Sequence, residues 1–147
     1  ELGPEAILRT LAQIAAGQKP EPQDHARATR APLLSKADGI IDWSAPAGQV
    51  RNRIHGTWPW PGGQAVFLRH DGRDMRVLIE RAATAEGADR TDLAPGTLDD
   101  DLHVATGSGR LEVRRLKPAG KRLMDWKDFC NGYRVRPGDR FRAPHEP

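Results

Sequence analysis

Apolar residues first recur at helical spacing: Ile7, Leu8, Leu11, Ile14 and Ala15 fall on one face, with Pro4 suited to a first turn and Gly17 to a stop. The pattern predicts a short amphipathic helix within residues 1–18, whose stripe cannot be buried without a partner surface. Residues 19–35 carry Pro20, Pro22 and Pro32, several charges and almost no apolar side chain before Leu33, the composition of an extended linker. Ile40, Ile41 and Trp43 then offer a start to a core. Ser44 is placed to cap a helix in which Ala47, Val50 and Ile54 share a face as far as Thr57. Trp58-Pro59-Trp60-Pro61-Gly62-Gly63 ends it, because two prolines and two glycines permit neither helix nor central strand.

Beyond that corner the period changes from helical to alternating. Residues 64–70 read as a strand, Asp71-Gly72 as a hairpin turn, and residues 74–81 as the returning strand with Met75, Val77 and Ile79 on one face. Periodicity is lost over residues 82–93, which read as a loop, and a short strand is expected at residues 96–98. Residues 102–106 alternate again, Gly107-Ser108-Gly109 turns the chain, and Leu111 and Val113 begin a strand separated by Arg110, Glu112 and Arg114. Asp125 resembles a cap for a helix carrying Trp126, Phe129, Cys130 and Tyr133, with Gly132 as its end. A turn at Pro137-Gly138 and a last short strand follow. About five short strands in roughly 100 residues predict a mainly β domain, a small OB-like antiparallel barrel with one or two short helices over residues 36–142, with an SH3-like barrel as the competing architecture. Residues 143–147 read as a tail.

Composition adds where the charge lies. The net charge is only +3 and the sequence pI about 9.4, but seven Lys or Arg face two carboxylates between Arg110 and Lys127. Acidic residues gather instead at Asp99-Asp100-Asp101 and over residues 86–92. Arg110, Arg114, Lys117, Lys121 and Arg122 are therefore expected on one face of the barrel, the last three crowning the turn around Pro118-Ala119-Gly120, in a field suited to an anionic partner. An ordinary solvated surface would carry the same residues. Cys130 is the one cysteine, so no internal disulfide or multi-Cys metal site can form, and its helical stripe reads as packing and not as a nucleophile. His25, His55, His70, His103 and His145 are scattered without metal-ligand spacing, and no Gly-rich phosphate loop follows a strand. The tryptophans read as core, not as a stacking platform. No membrane span or signal peptide is read, and a reducing, cytoplasmic setting is expected.

Three separated stretches carry a resemblance: Ile41-Asp42-Trp43-Ser44 through Asn52-Arg53-Ile54 to Pro59-Trp60-Pro61-Gly62; Ala94-Pro95-Gly96-Thr97 with Val104-Ala105-Thr106-Gly107-Ser108-Gly109; and Leu116-Lys117-Pro118-Ala119-Gly120-Lys121-Arg122-Leu123-Met124 with Phe129 and Gly132. Their order and spacing resemble the C-terminal part of the methionyl-tRNA formyltransferase family. The resemblance implies an enzyme of translation initiation that passes a formyl group from 10-formyltetrahydrofolate to methionyl initiator tRNA. It also implies a Rossmann-like catalytic domain upstream that binds the folate, and a monomeric enzyme whose C-terminal barrel helps hold the tRNA. Residues 1–18 would then be the last helix of that missing domain. The family's catalytic Asn, His and Asp and its folate loop have no counterpart here, so no catalytic, cofactor-binding or metal-ligating residue is assigned and the segment alone is expected to be inactive. Two departures stand out: His55 where the family commonly has Arg, and Lys117 where it commonly has Gln. An Arg in place of His55 is expected to strengthen RNA binding at neutral pH. The alternatives are the C-terminal domain of a sugar N-formyltransferase, against which the basic track argues, and a protein-interaction barrel docking through the tryptophan corner.

Overall fold

The computed structural model describes residues 3–86 and 93–144, in two compact units, Glu1–Pro32 and Leu33–Pro147. The first holds helix α1 (Gly3–Ala15) and a one-turn 3-10 helix at His25–Arg27, with no buried residue in either.

In the second unit a 3-10 turn at Lys36–Gly39 leads to helix α2 (Ala47–Thr57). The helix starts later than a Ser44 cap predicts. Ser44 donates both its N–H and its hydroxyl to Asp42 Oδ1, at 2.9 and 2.6 Å, and Pro46 takes the capping position. Strands β1 (Gly63–Leu68) and β2 (Asp74–Ala85) form the expected hairpin. Strand β2 extends through Ala85, into the stretch expected to be a loop, because β4 supplies it with a partner as far as the Ala85–Arg110 pair. Residues 87–92 of that expected loop lie outside the described residues, and with them the acidic cluster except Glu86, as does His145. Strands β3 (Val104–Ala105), β4 (Arg110–Pro118), β5 (Met124–Asp125) and β6 (Arg140–Arg142) and helix α3 (Trp126–Tyr133) complete the unit. Helix α3 does not end at Gly132: Arg134 adopts the left-handed conformation, φ 52°, and its N–H closes on Cys130 O.

The sheet runs β3-β4-β2-β1-β6, antiparallel at each of its pairings, with β5 added to β4. Two single bridges join its ends: Thr97 pairs with Arg140 beside β6, and Leu98 with Val104 beside β3. The short strand expected at residues 96–98 is thus the closing piece of a small, nearly closed OB-like barrel, which leaves little open edge. Its interior is filled by Ile41, Val50, Ile54, Phe67, Val77, Ile79, Leu98, Leu111, Leu116 and neighbours, with an aromatic run along one side. Trp43 stacks on Phe141 at 5.4 Å, Phe141 meets Phe67 at 5.0 Å, and Phe67 meets Phe129 edge-on at 5.2 Å. Trp43 and Trp126 therefore serve as packing, as read from the sequence. The corner pair is less buried: Trp58 is half-buried and Trp60 is 57% exposed.

Candidate nucleic-acid interface

Strand β4 carries Leu111 and Val113 inward and then Leu116 and Pro118, so the buried spacing runs two, three, two. The extra step is a bulge. Ile79 pairs with Leu116, Arg81 with Arg115 and Ala82 with Val113, leaving Glu80 on β2 and Arg114 on β4 without a ladder partner. Such an insertion re-aims side chains. Arg114 and Arg115 are both exposed in consequence, although strict alternation would send one of them inward.

The five expected cations stand differently. Lys117, Lys121 and Arg122 are exposed, and among the described residues none has an ion-pair partner. Their turn is held by the Lys121 N–H to Pro118 O, 3.0 Å, and the Ala119 N–H to Arg76 O, 2.9 Å, with Gly120 at φ +70° where a side chain would be strained. Arg114 is exposed and meets Glu112 at 2.7 Å, a surface pair worth little against a stronger anion. Arg110 departs from the expectation of a track offered to solvent. Its Nη1 lies 2.9 Å from Asp99 and 3.5 Å from Asp101, its Nη2 donates to Glu86 O at 2.6 Å, and its side chain is 12% exposed.

Asp99, Asp101 and His103 bring three ligand-type atoms within 4.8 Å of one another. The Arg110 guanidinium sits between the two carboxylates and supplies their countercharge. Burial alone would raise the Asp99 carboxyl. The N–H groups of His103 and Asp101, the Arg110 guanidinium and the nearby His103 outweigh it and hold the group below its ordinary 3.8. Cys130 is governed by burial too, which pushes its thiol up to about 12 and keeps it unreactive.

Sequence reading missed the second basic surface. An open groove of about 600 Å³ between α2 and the bulge is lined by Arg51, His55, Arg81, Arg114, Arg115 and Asp125, among others. A smaller recess beyond it adds Trp58 and Glu80 and shares His55 and Arg81. The His55 Nε2 accepts the N–H of Ala82 at 3.3 Å, a donor at the edge of the bulge. His55 is therefore an acceptor that fastens α2 to β2, not merely a weaker cation in place of Arg. The missed signal was the three-residue gap in apolar spacing on both strands, Val113 to Leu116 and Ile79 to Ala82. Among the described residues no helix is long and apolar enough to cross a membrane.

Residues 33–134 match the family described as Formyl transferase, C-terminal domain. The chain belongs to that family. It is 38% identical to the methionyl-tRNA formyltransferase of Solibacter usitatus over 147 residues, covering 98% of this chain and 45% of the relative. Identity to the enzyme of that name from Heliobacterium modesticaldum is 39%, over 96% of this chain and 46% of the relative. For Roseiflexus castenholzii it is 40%, over 95% and 44%. The chain thus spans less than half the length of these relatives. Among solved structures, HypX from Aquifex aeolicus superposes with a TM-score of 0.52 at 18% identity, over 88% of this chain and 23% of HypX, a likeness of fold. Within this formyl transferase C-terminal domain, two glycines sit at close approaches of the backbone. A Cβ at Gly96 would collide with Phe141 O, and one at Gly107 with Ser44 O.

Proposed function

We propose that this chain is the C-terminal part of a methionyl-tRNA formyltransferase, and that its barrel holds the tRNA while a domain upstream performs the chemistry. The full-length protein transfers the formyl group of 10-formyltetrahydrofolate to methionyl initiator tRNA in the cytoplasm, acting as a monomer, with the folate bound outside this chain. Identity of 38–40% to proteins of that name along nearly the whole chain carries the reading. The cationic turn supports it, since exposed Lys and Arg with no carboxylate partner among the described residues can neutralise phosphates. In this reading residues 1–18 end the catalytic domain, residues 19–35 link it to the barrel, and residues 143–147 trail behind. The contact set is Arg114, Lys117, Lys121 and Arg122, with Arg110 holding the loop at Asp99 instead.

Titration of a fluorescent initiator tRNA with the chain at several salt concentrations tests this. Each phosphate contact contributes about −0.7 to −0.9 to the slope of log K against log salt. Changing Lys117, Lys121 and Arg122 together to Ala is expected to reduce the slope by roughly 2 to 3 units, for elongator and initiator tRNAs alike. A wild-type chain whose binding does not respond to salt would refute the reading.

A further inference from the structure

The groove between α2 and the bulge has features that the cationic turn lacks. It is walled by cations from three elements: Arg51 on α2, Arg81 on β2 and Arg114 on β4. Arg81 has no ion-pair partner among the described residues, and Arg51 donates only to the amide oxygen of Asn52, at 3.1 and 2.8 Å. Arg114 makes one surface pair, with Glu112 at 2.7 Å, and Arg115 at the same place makes two. It is clamped between Glu80 at 3.1 Å and Asp125 at 3.4 Å, which fixes the floor. Arg51 and His55 are four apart on α2, so one helix face presents both, and the His55 bond to Ala82 sets the distance of that face from the strands. The groove leads past Arg81 and His55 to the indole of Trp58.

We propose that this groove is a second RNA subsite in which Arg51, Arg81 and Arg114 bind backbone phosphates and Trp58 stacks on an unpaired base. The inference rests on the reading of the domain as a tRNA-binding module and extends it from the turn back along β4 to the bulge. Arginines suit the task because a planar guanidinium meets a phosphate with two parallel bonds. An aromatic face at the end of a cationic groove suits a single-stranded nucleotide better than an acidic peptide, which has no flat ring to stack.

The test uses four versions of the chain: wild type, the groove variant R51Q/R81Q/R114Q, the turn variant K117A/K121A/R122A, and R51K/R81K/R114K, which retains charge. Each is titrated with fluorescent tRNA between about 50 and 200 mM salt, the range over which counterion release is resolved. The groove variant is expected to bind more weakly, each lost contact costing about five- to eightfold at 0.1 M salt, with its slope reduced by roughly 2 to 3 units. The lysine version is expected to recover most of the slope, and W58A to weaken tRNA binding with the slope unchanged. Thermal melts matching wild type establish that each variant is folded. A folded groove variant that binds like wild type, while the turn variant is impaired, overturns the groove and leaves the tRNA reading standing. Salt-independent binding by the wild type overturns both. Polyglutamate competing as well as tRNA, through the same three arginines, would assign the groove to an acidic protein and overturn the RNA subsite.

Discussion

Asp99 illustrates how a single side chain can resemble a binding residue and serve the fold. Its side chain is 1% exposed, its Oδ1 accepts the N–H groups of Asp101 and His103 at 3.0 and 2.9 Å, and its Oδ2 holds Arg110. In sequence, Asp99 is one of three consecutive aspartates and Arg110 one of many cations. Neither pattern shows that they meet, because the pair is made across the β3–β4 hairpin. The pH dependence follows from the sign of the shift. The folded carboxyl lies below its ordinary 3.8, so its contribution is fully present above that value and is lost as pH falls through the folded pKa. Urea midpoints measured from pH 7 down to pH 3 are expected to fall for the wild type below about pH 4. Asp99→Asn is expected to be less stable at pH 7 and to narrow its deficit toward pH 3, as the wild type loses the charged interaction. A deficit that stayed constant with pH would mean that Asp99 contributes by shape alone.

Elements were legible where their period was clean. The β1–β2 hairpin and the aromatic stripe of α3 stand as the spacing of apolar residues predicts, with α3 packed through Phe129. The bulge was not read, although its trace is present as the paired three-residue gaps, because alternation at either side of it looks complete. Missing it hid Arg81 and Arg115 and made His55 look like a diminished cation. An Arg at position 55 would add charge beside the groove but has no acceptor for the Ala82 N–H. Ala82 is 3% exposed. Leaving such a donor unpaired costs about 1 to 3 kcal/mol. His55→Arg is accordingly expected to lower the midpoint of thermal unfolding by several degrees, and His55→Gln, whose amide oxygen can accept, by less. Scanning calorimetry distinguishes the two; an Arg variant as stable as wild type would show that the bond contributes nothing.

At the scale of the whole molecule, the closed barrel buries its apolar residues and α1 does not. Ile7, Leu8, Leu11 and Ile14 are 57–68% exposed along one stripe of the helix. A stripe of that width on a helix of 13 residues has no stabilising partner among the described residues of its own unit. The relatives are more than twice as long as the matched chain, which leaves ample room for the surface that would cover it. The sequence made the stripe visible but could not supply its partner, since a helical period reports which face is apolar and not what meets it. If the upstream domain proposed above covers this face, Ile7→Asp with Leu11→Asp has different consequences in two settings. In the 147-residue chain, where the barrel has its own core, the double change is expected to leave the barrel's unfolding midpoint unaltered. In the full-length protein it buries charge against an apolar surface, and a loss of several kcal/mol is expected for the upstream domain, with increased protease cleavage around residues 19–35. Equal stability of the full-length variant and wild type would mean that α1 remains solvated there too.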